Sequence, residues 1–345
     1  MKKLFTTSKY KKRNLRKGKR VAKQKSRNKP YIPKNRPLNY FRDVNIKKPA
    51  VVAPRNFQLI KNTEDCLRFF KKIRSQESLS QFKKLRYIEI SLTKVKDIDY
   101  SAICILIAII DDYNYKGILL RAGLPENKKC RNFIIDSGLL NKMYDESGKP
   151  FGKADKSDHL FFTRGAKKLS REDNIRISNA VKNSVKHLTG LERHCPKLRR
   201  ILLEICGNSI EWGGTADRQW LLGIKYGEDS VIFTVTDVGK GILKTLHKKF
   251  DRKVKDFIQD IPEDQILLSA FKKKYGSNTQ EINRNKGLPA VKLGFDEGRI
   301  ENLKVLTNNV ILHFDNTASS KTFAKSIPEF YGTFYRWNVS KKCIE

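Results

Sequence analysis

Paired cysteines are missing from this 345-residue chain. Its six cysteines (Cys66, Cys104, Cys130, Cys195, Cys206 and Cys343) are scattered, and no two stand in a CxxC spacing. That excludes the common zinc and dithiol patterns, and the five histidines add no ligand spacing. Several of the cysteines lie inside apolar runs, where a free thiol packs as a small core residue. The expectation is a reducing, cytoplasmic compartment without a zinc site. Long apolar runs are also lacking: the longest, AICILIAII at 102–110, has nine residues, against about 20 for a membrane-spanning helix. The basic start is not followed by an apolar stretch, so it does not read as a secretory signal. No GxxxxGK[ST] occurs, which removes the P-loop route to nucleotide binding. Acids are scarce as well. Asp and Glu total 36 against 72 Lys and Arg, a net charge of +36 that calls for a polyanionic partner or a very basic appendage.

Half of that charge sits in one place. Residues 1–50 hold nineteen Lys or Arg and a single acid, Asp43, for a net of +18. Prolines 30, 33, 37, 49 and 54 stud the rest of this stretch. Apolar residues recur there at no period, so burial cannot offset the entropy of ordering it. The reading for residues 1–54 is a disordered basic arm suited to phosphates, with Tyr31, Tyr40 and Phe41 available to stack on bases. A solubilising tail would have the same composition.

Residues 55–150 alternate strand and helix signals. LRYIEISL at 85–92 alternates apolar and polar residues as a strand does. Asp99 and Ser101 are natural cap material for the apolar helix that follows. Gly117 ends that helix, and a short apolar strand at 118–121 comes next. A turn at 124–126 then leads into a helix closed by Gly138. Strand–helix–strand–helix implies an α/β layer. This stretch resembles the STAS domain of anti-sigma-factor antagonists, in which a strand leads to Asp-Ser-Ser-Gly at a helix start. Here Asp99-Tyr100-Ser101-Ala102 stands in that place, with Tyr100 and Ala102 departing from the pattern. The resemblance implies that Ser101 is a phosphoacceptor; the residues alone read as a helix cap. A phosphate there would lie favourably at a helix N-terminus.

Residues 160–339 carry three motifs. In LRRILLEICGNSIEW at 198–212, apolar residues at helical spacing define a buried stripe, and Glu204 and Asn208 project from one face, a turn apart. An amide oxygen can complete a magnesium octahedron, and a carboxylate can orient or deprotonate a nucleophile beside it. VIFTVTDV at 231–238 is a strand ending in Asp237-Val238-Gly239-Lys240-Gly241, where an Asp could accept from an exocyclic amine and glycines admit a close ligand. NRNKGLPAVKL at 283–293 places Gly287 and a proline at a helix start, a site for phosphate, with Arg284 and Lys286 alongside. Each motif alone is common in unremarkable settings: a solvated helix face, a strand-to-turn exit, a basic loop.

Their order is less common. Helix with ExxxN, hairpin, DxGxG, polar loop, GLP helix and closing strands resemble the GHKL superfamily of gyrase, chaperone, histidine-kinase and mismatch-repair ATPases. The likeness is to its anti-sigma-factor kinase branch, with Trp212 where that branch has a histidine and Asn285 in place of the first glycine of Gly-x-Gly. The resemblance implies an α/β fold, an α+β two-layer sandwich that binds ATP with Mg²⁺. Glu204 would be the general base, Asn208 the magnesium ligand and Asp237 the adenine acceptor. Gly239, Gly241, Lys286 and Gly287 would line the nucleotide, and residues 242–286 would form a lid. His187 and His194 precede the ExxxN motif on a stretch read as helical, but neither has the flanking pattern of a two-component kinase. The expected role is an ATP-binding regulator, with hydrolysis, transfer to a serine and sensing alone all left open. The expected partners are ATP, a protein partner or the chain's own STAS-like part, a homodimer mate, and nucleic acid through residues 1–50. The alternative is a nucleic-acid-binding protein using a non-hydrolysing nucleotide-sensing domain.

Overall fold

The computed structural model describes residues 15–16, 49–76, 86–152, 160–165, 169–212, 220–249, 261–272 and 287–345. Most of the basic arm, Lys286 and much of the expected lid therefore lie outside the described residues. Phe41–Glu345 forms one compact unit, separate from Met1–Tyr40. The mixed α/β class expected from the sequence is the class observed.

The first half of the larger unit is built on a parallel sheet of three strands, β1 (Val51–Val52), β3 (Tyr87–Ser91) and β5 (Leu119–Gly123), in the order β1-β3-β5. A small parallel pair, β2 (Asn56–Phe57) and β4 (Asp97–Ile98), lies beside it in the chain. Helix α1 (Thr63–Ser75) precedes β3, and α2 (Tyr100–Tyr115) forms the crossover between β3 and β5. Asp99 caps α2 by accepting the Ala102 N–H at 2.8 Å. Gly117 closes it in a left-handed turn, φ 76°, a conformation glycine takes without strain. Helix α3 (Lys128–Asp136) is capped in the same way by Asn127, and Gly138 follows it at φ 68°.

The second half is a seven-stranded antiparallel sheet, ordered β11-β10-β9-β12-β8-β7-β6. Its strands are β6 (Leu160–Gly165), β7 (Trp220–Tyr226), β8 (Ser230–Asp237), β9 (Glu301–Asn308), β10 (Val310–His313), β11 (Lys321–Thr322) and β12 (Phe330–Ser340). One face carries α4 (Arg171–Thr189), α5 (Pro196–Trp212), α6 (Ile242–Lys249), α7 (Glu263–Phe271) and α8 (Gly287–Asp296). Strand alternation sorts the side chains. On β8, Val231, Phe233 and Val235 join that helical core, and on β12 Tyr335 and Trp337 do the same. The residues between them point the other way.

That other face is covered as well. Leu221, Leu306, Phe334 and Val238 belong to one continuous core with α1, α2 and the parallel sheet. Helix α2 is buried from Tyr100 to Tyr113, as a helix must be when it is apolar all round. It lies between the two sheets, touching β5 on one side and β7 and β8 on the other. Burial of each large aliphatic side chain contributes roughly 1.5–3 kcal/mol relative to exposure, so this seat dominates the join. Polar pins fix its register. Gly223 on β7 leaves room for the Tyr100 hydroxyl, since a β-carbon there would stand 2.7 Å from that oxygen. The Cys104 thiol and the Thr234 hydroxyl are 3.1 Å apart. At the far end of α2, Asp112 pairs with Arg74 and Lys116, at 2.8 and 2.9 Å. Asp111 pairs with Lys142 and with Arg164 of β6, at 2.6 and 3.4 Å. Among the described residues, no helix is long and apolar enough to cross a membrane.

Candidate functional site

The polar residues singled out in the sequence collect at one end of the helix-covered face. Helices α5 and α8 pack against each other in antiparallel fashion. A β-carbon at Gly294 would sit 2.4 Å from Cδ1 of Ile201, and one at Gly287 would sit 2.4 Å from Nδ2 of Asn208. Glycine at both positions is what lets the helix axes come so close. Ile201, Glu204 and Asn208 follow one another on a single stripe of α5, so Glu204 lies between the two contacts. The side chain of Asn208 therefore stands against the start of α8, where first-turn N–H groups have no partner within their own helix. Its Nδ2 is buried without a hydrogen bond.

Asp237 ends β8. It is 5% exposed, and its Oδ1 accepts the Gly239 N–H at 2.9 Å. Burial pushes its carboxyl up to about 6, against the opposing hydrogen bonds of Gly239, Ser209 and Thr333. Ser209 follows Asn208 on α5, and Thr333 comes from β12, so three elements converge on one carboxylate. Beside it, β12 carries an irregularity in its register with β9 between Phe330 and Thr333. Gly332 sits there at φ 136°, and a β-carbon on it would lie 2.0 Å from the Asp237 carbonyl oxygen.

Of the residues expected to line a nucleotide, Glu204, Asn208, Asp237, Gly239 and Gly287 fall in this region. Gly241 has a structural duty in it, described below. Lys286 lies outside the described residues. Ser101 does not join the group. It sits in the first turn of α2, 2% exposed, on the opposite side of the seven-stranded sheet. His187 is on α4 and bonds the Gly227 carbonyl at 2.7 Å. His194 lies in the connection before α5 rather than on a helix. Ser209, Thr333, Thr307 and Asn308 were not singled out from the sequence. The serine had a signal, its place next to Asn208; the other three are brought in by strand pairing.

A magnesium nucleotide fits this chemistry in two respects. Nδ2 of Asn208, a donor without a partner, stands at a helix start that a side chain at 287 would block, which suits a phosphate oxygen; magnesium would have to be held through the amide oxygen. Magnesium carried by phosphates and waters needs few protein oxygens, and among the described residues there is no cluster of three or more His, Cys, Asp or Glu that could hold a metal alone. A cleft of about 390 Å³ lies elsewhere, lined by residues of α4, the α4–α5 connection and the start of α5, such as Lys182, His194 and Arg199.

No family model matches the sequence, and no curated protein matches it. Among solved structures, a chain in the crystal structure of the SiaB–SiaC complex from Pseudomonas aeruginosa is similar over 52% of this chain and 90% of its own, at 11% identity and a TM-score of 0.25. Agreement at that level transfers neither architecture nor activity to this chain.

Proposed function

We propose that this chain is an ATP-binding regulatory protein of GHKL type, with its STAS-like layer docked permanently on the back of the nucleotide-binding sheet. The observation that carries the reading is Asp237: a carboxylate buried at a strand end, held by a glycine N–H, with α5 and β12 hydroxyls beside it. A buried acceptor of this kind is costly to the free protein and gains from a donor such as the exocyclic amine of adenine. Asn208 and the start of α8 then lie where the phosphates belong, and bound magnesium would supply charge neutralisation there. Asn208 would hold the metal through its amide oxygen. Glu204, one turn earlier on the same stripe, would orient or deprotonate a water or hydroxyl. Gly239 keeps the strand exit close to the base, and Lys286 precedes the phosphate-facing helix. Whether the bound nucleotide is hydrolysed, transferred or only sensed turns on Glu204.

The test is calorimetry with adenosine, ADP and ATP plus Mg²⁺ on the wild type and on Asp237→Asn, Asn208→Ala and Glu204→Ala. Binding should be lost in the first, should lose its magnesium dependence in the second, and should persist in the third with any phosphate release abolished. A wild type that binds none of the three ligands would sink the reading.

A second part of the proposal concerns the arm. With +18 of charge in its first 50 residues, the chain should bind single-stranded RNA or DNA with an affinity that falls steeply with salt. Deleting residues 1–50 should abolish that binding and leave nucleotide binding intact. Equal nucleic-acid binding by the deletion variant would refute this part alone.

A further inference from the structure

The turn that joins β9 to β10 lies more than 60 residues from the Asp237 loop in sequence, yet its side chains hold that loop in place. Thr307 and Asn308 are buried, 0% and 2% exposed. The Thr307 hydroxyl accepts the Ile242 N–H at 2.9 Å and donates to the Gly332 carbonyl at 2.9 Å. Oδ1 of Asn308 accepts the N–H groups of Leu243 and Lys244, at 3.1 and 3.4 Å. Its Nδ2 donates to the Lys240 carbonyl at 2.9 Å. These two side chains therefore satisfy the first-turn donors of α6, which a helix cannot satisfy by itself. Asn308 does so from a left-handed backbone, φ 51°, a conformation asparagine tolerates better than other residues with a β-carbon. Gly241, at φ 82°, lies directly against it: a β-carbon there would be 2.4 Å from Asn308 Oδ1.

Two consequences follow. The positive end of α6 is occupied by protein acceptors, so it is not free to take a phosphate. In addition, the three segments around Asp237, namely 239–243, 332–333 and the hairpin turn, are joined through one threonine and one asparagine. We propose that Thr307 and Asn308 are positioning residues that hold the 239–243 loop and the β12 bulge at Asp237, and so set the affinity for the base of the ligand. The ligand part of this inference rests on the nucleotide reading above; the tether does not.

The experiment compares the wild type with Asn308→Gly, which keeps the left-handed backbone but removes the cap. Asn308→Asp keeps the acceptor, and Thr307→Val removes only the hydroxyl. Amide hydrogen exchange on the free protein reads the tether, and calorimetry with adenosine and with Mg-ATP reads the consequence, both well below the melting temperature. In Asn308→Gly, the Leu243 and Lys244 amides should lose protection, and both ligands should weaken by the same factor, about tenfold for the loss of one cap. Asn308→Asp should restore the protection of Leu243 and Lys244, but only part of the affinity, because it replaces the donor to the Lys240 carbonyl with a carboxylate oxygen. Thr307→Val should expose the Ile242 amide and weaken adenosine. Unchanged exchange at Leu243 and Lys244, or lost protection with unchanged adenosine affinity, would overturn the proposal. If the wild type binds neither ligand, the nucleotide reading fails, and the positioning role in binding fails with it. Exchange at Gly239 and Thr333 in the glycine variant then decides whether the tether alone survives.

Discussion

The two faces of the seven-stranded sheet are buried to different ends. One is sealed by α1 and α2 in a largely apolar layer, pinned by glycine, threonine and cysteine and by the ion pairs of Asp111 and Asp112. The other has an apolar floor of its own, yet along one edge it keeps the buried Asp237 carboxylate, the unpartnered Nδ2 donor of Asn208 and two helices brought close by glycine contacts. The first face pairs most of its polar groups inside the chain, with Oδ2 of Asp111 buried and without a partner. The second leaves them in arrangements that a ligand would improve. The proposed function belongs to the helix-covered face, and the α2-covered face would serve as its foundation.

The largest effect should come from dividing the two. A fragment of residues 160–345 would expose the face built from Leu221, Val238, Leu306 and Phe334, an apolar patch of the kind that drives association. It should aggregate or bind a hydrophobic dye, and gel filtration with dye fluorescence would show it. A soluble monomeric fragment with cooperative unfolding would break the contrast between foundation and site.

On the helix-covered face, Asp237 should couple stability to pH. Its carboxyl is raised by burial to about 6 in the folded protein, so its stabilising contribution is full below its unfolded value near 4. That contribution is lost as pH rises through about 6. Its upper bound is on the order of 2–3 kcal/mol at neutral pH. Denaturation of the ligand-free protein at pH 5 and pH 7.5 should show the loss, and Asp237→Asn should remove it. Adenosine, which has no phosphate to titrate, should bind more tightly as pH rises from 5 to 7, because its amine prefers the ionised acceptor. Identical pH dependence in wild type and Asp237→Asn would remove the carboxylate from the account.

The contrast between the faces also marks what the sequence could reveal. Elements with a clear period or clear punctuation were legible: the β3 strand, α2 between Asp99 and Gly117, α5, the β7–β8 hairpin and the start of α8 at Gly287. The ExxxN stripe was legible too, because helical geometry alone puts Glu204 and Asn208 on one face. The α2 seat was not. An apolar helix announces that it is buried but not what buries it, and the complementary gap at Gly223 is a single glycine in a strand 120 residues later. The Thr307–Asn308 tether was equally hidden, since its partners are backbone groups over 60 residues away. Helix α4 carries a local signal in its sequence: Ser170 and Asp173 form a reciprocal capping box at its start.

A smaller effect is expected at the seat itself. At Gly223, a β-carbon would stand 2.6 Å from Oγ1 of Thr234 and 2.7 Å from the Tyr100 hydroxyl. Gly223→Val should cost about 1–3 kcal/mol by overpacking, read as a shifted denaturation midpoint. Removing the hydroxyl in the Tyr100→Phe background should return part of that cost. Two costs that simply add would show that Tyr100 does not fill the gap.

The smallest effect concerns Ser101. Replacing the cap residue, Asp99→Ala, should cost about 1 kcal/mol, since it removes the acceptor of the Ala102 N–H. Ser101→Ala leaves that cap in place and should cost less. Its interest lies in the chemistry. Ser101 is buried beneath one face of the sheet while Glu204 and Asn208 stand on the other, so the full thickness of the sheet separates the serine from the groups that would transfer a phosphate. The native chain incubated with Mg-ATP labelled at the γ-phosphate should leave Ser101 unmodified. Modification should appear only when α2 is loosened, as in Gly223→Val, and then at a rate that rises with protein concentration, because the donor must be another molecule. Labelling of Ser101 in the native protein at a rate independent of concentration would mean that the serine reaches the nucleotide in its own chain, and the separation of the two faces would no longer hold.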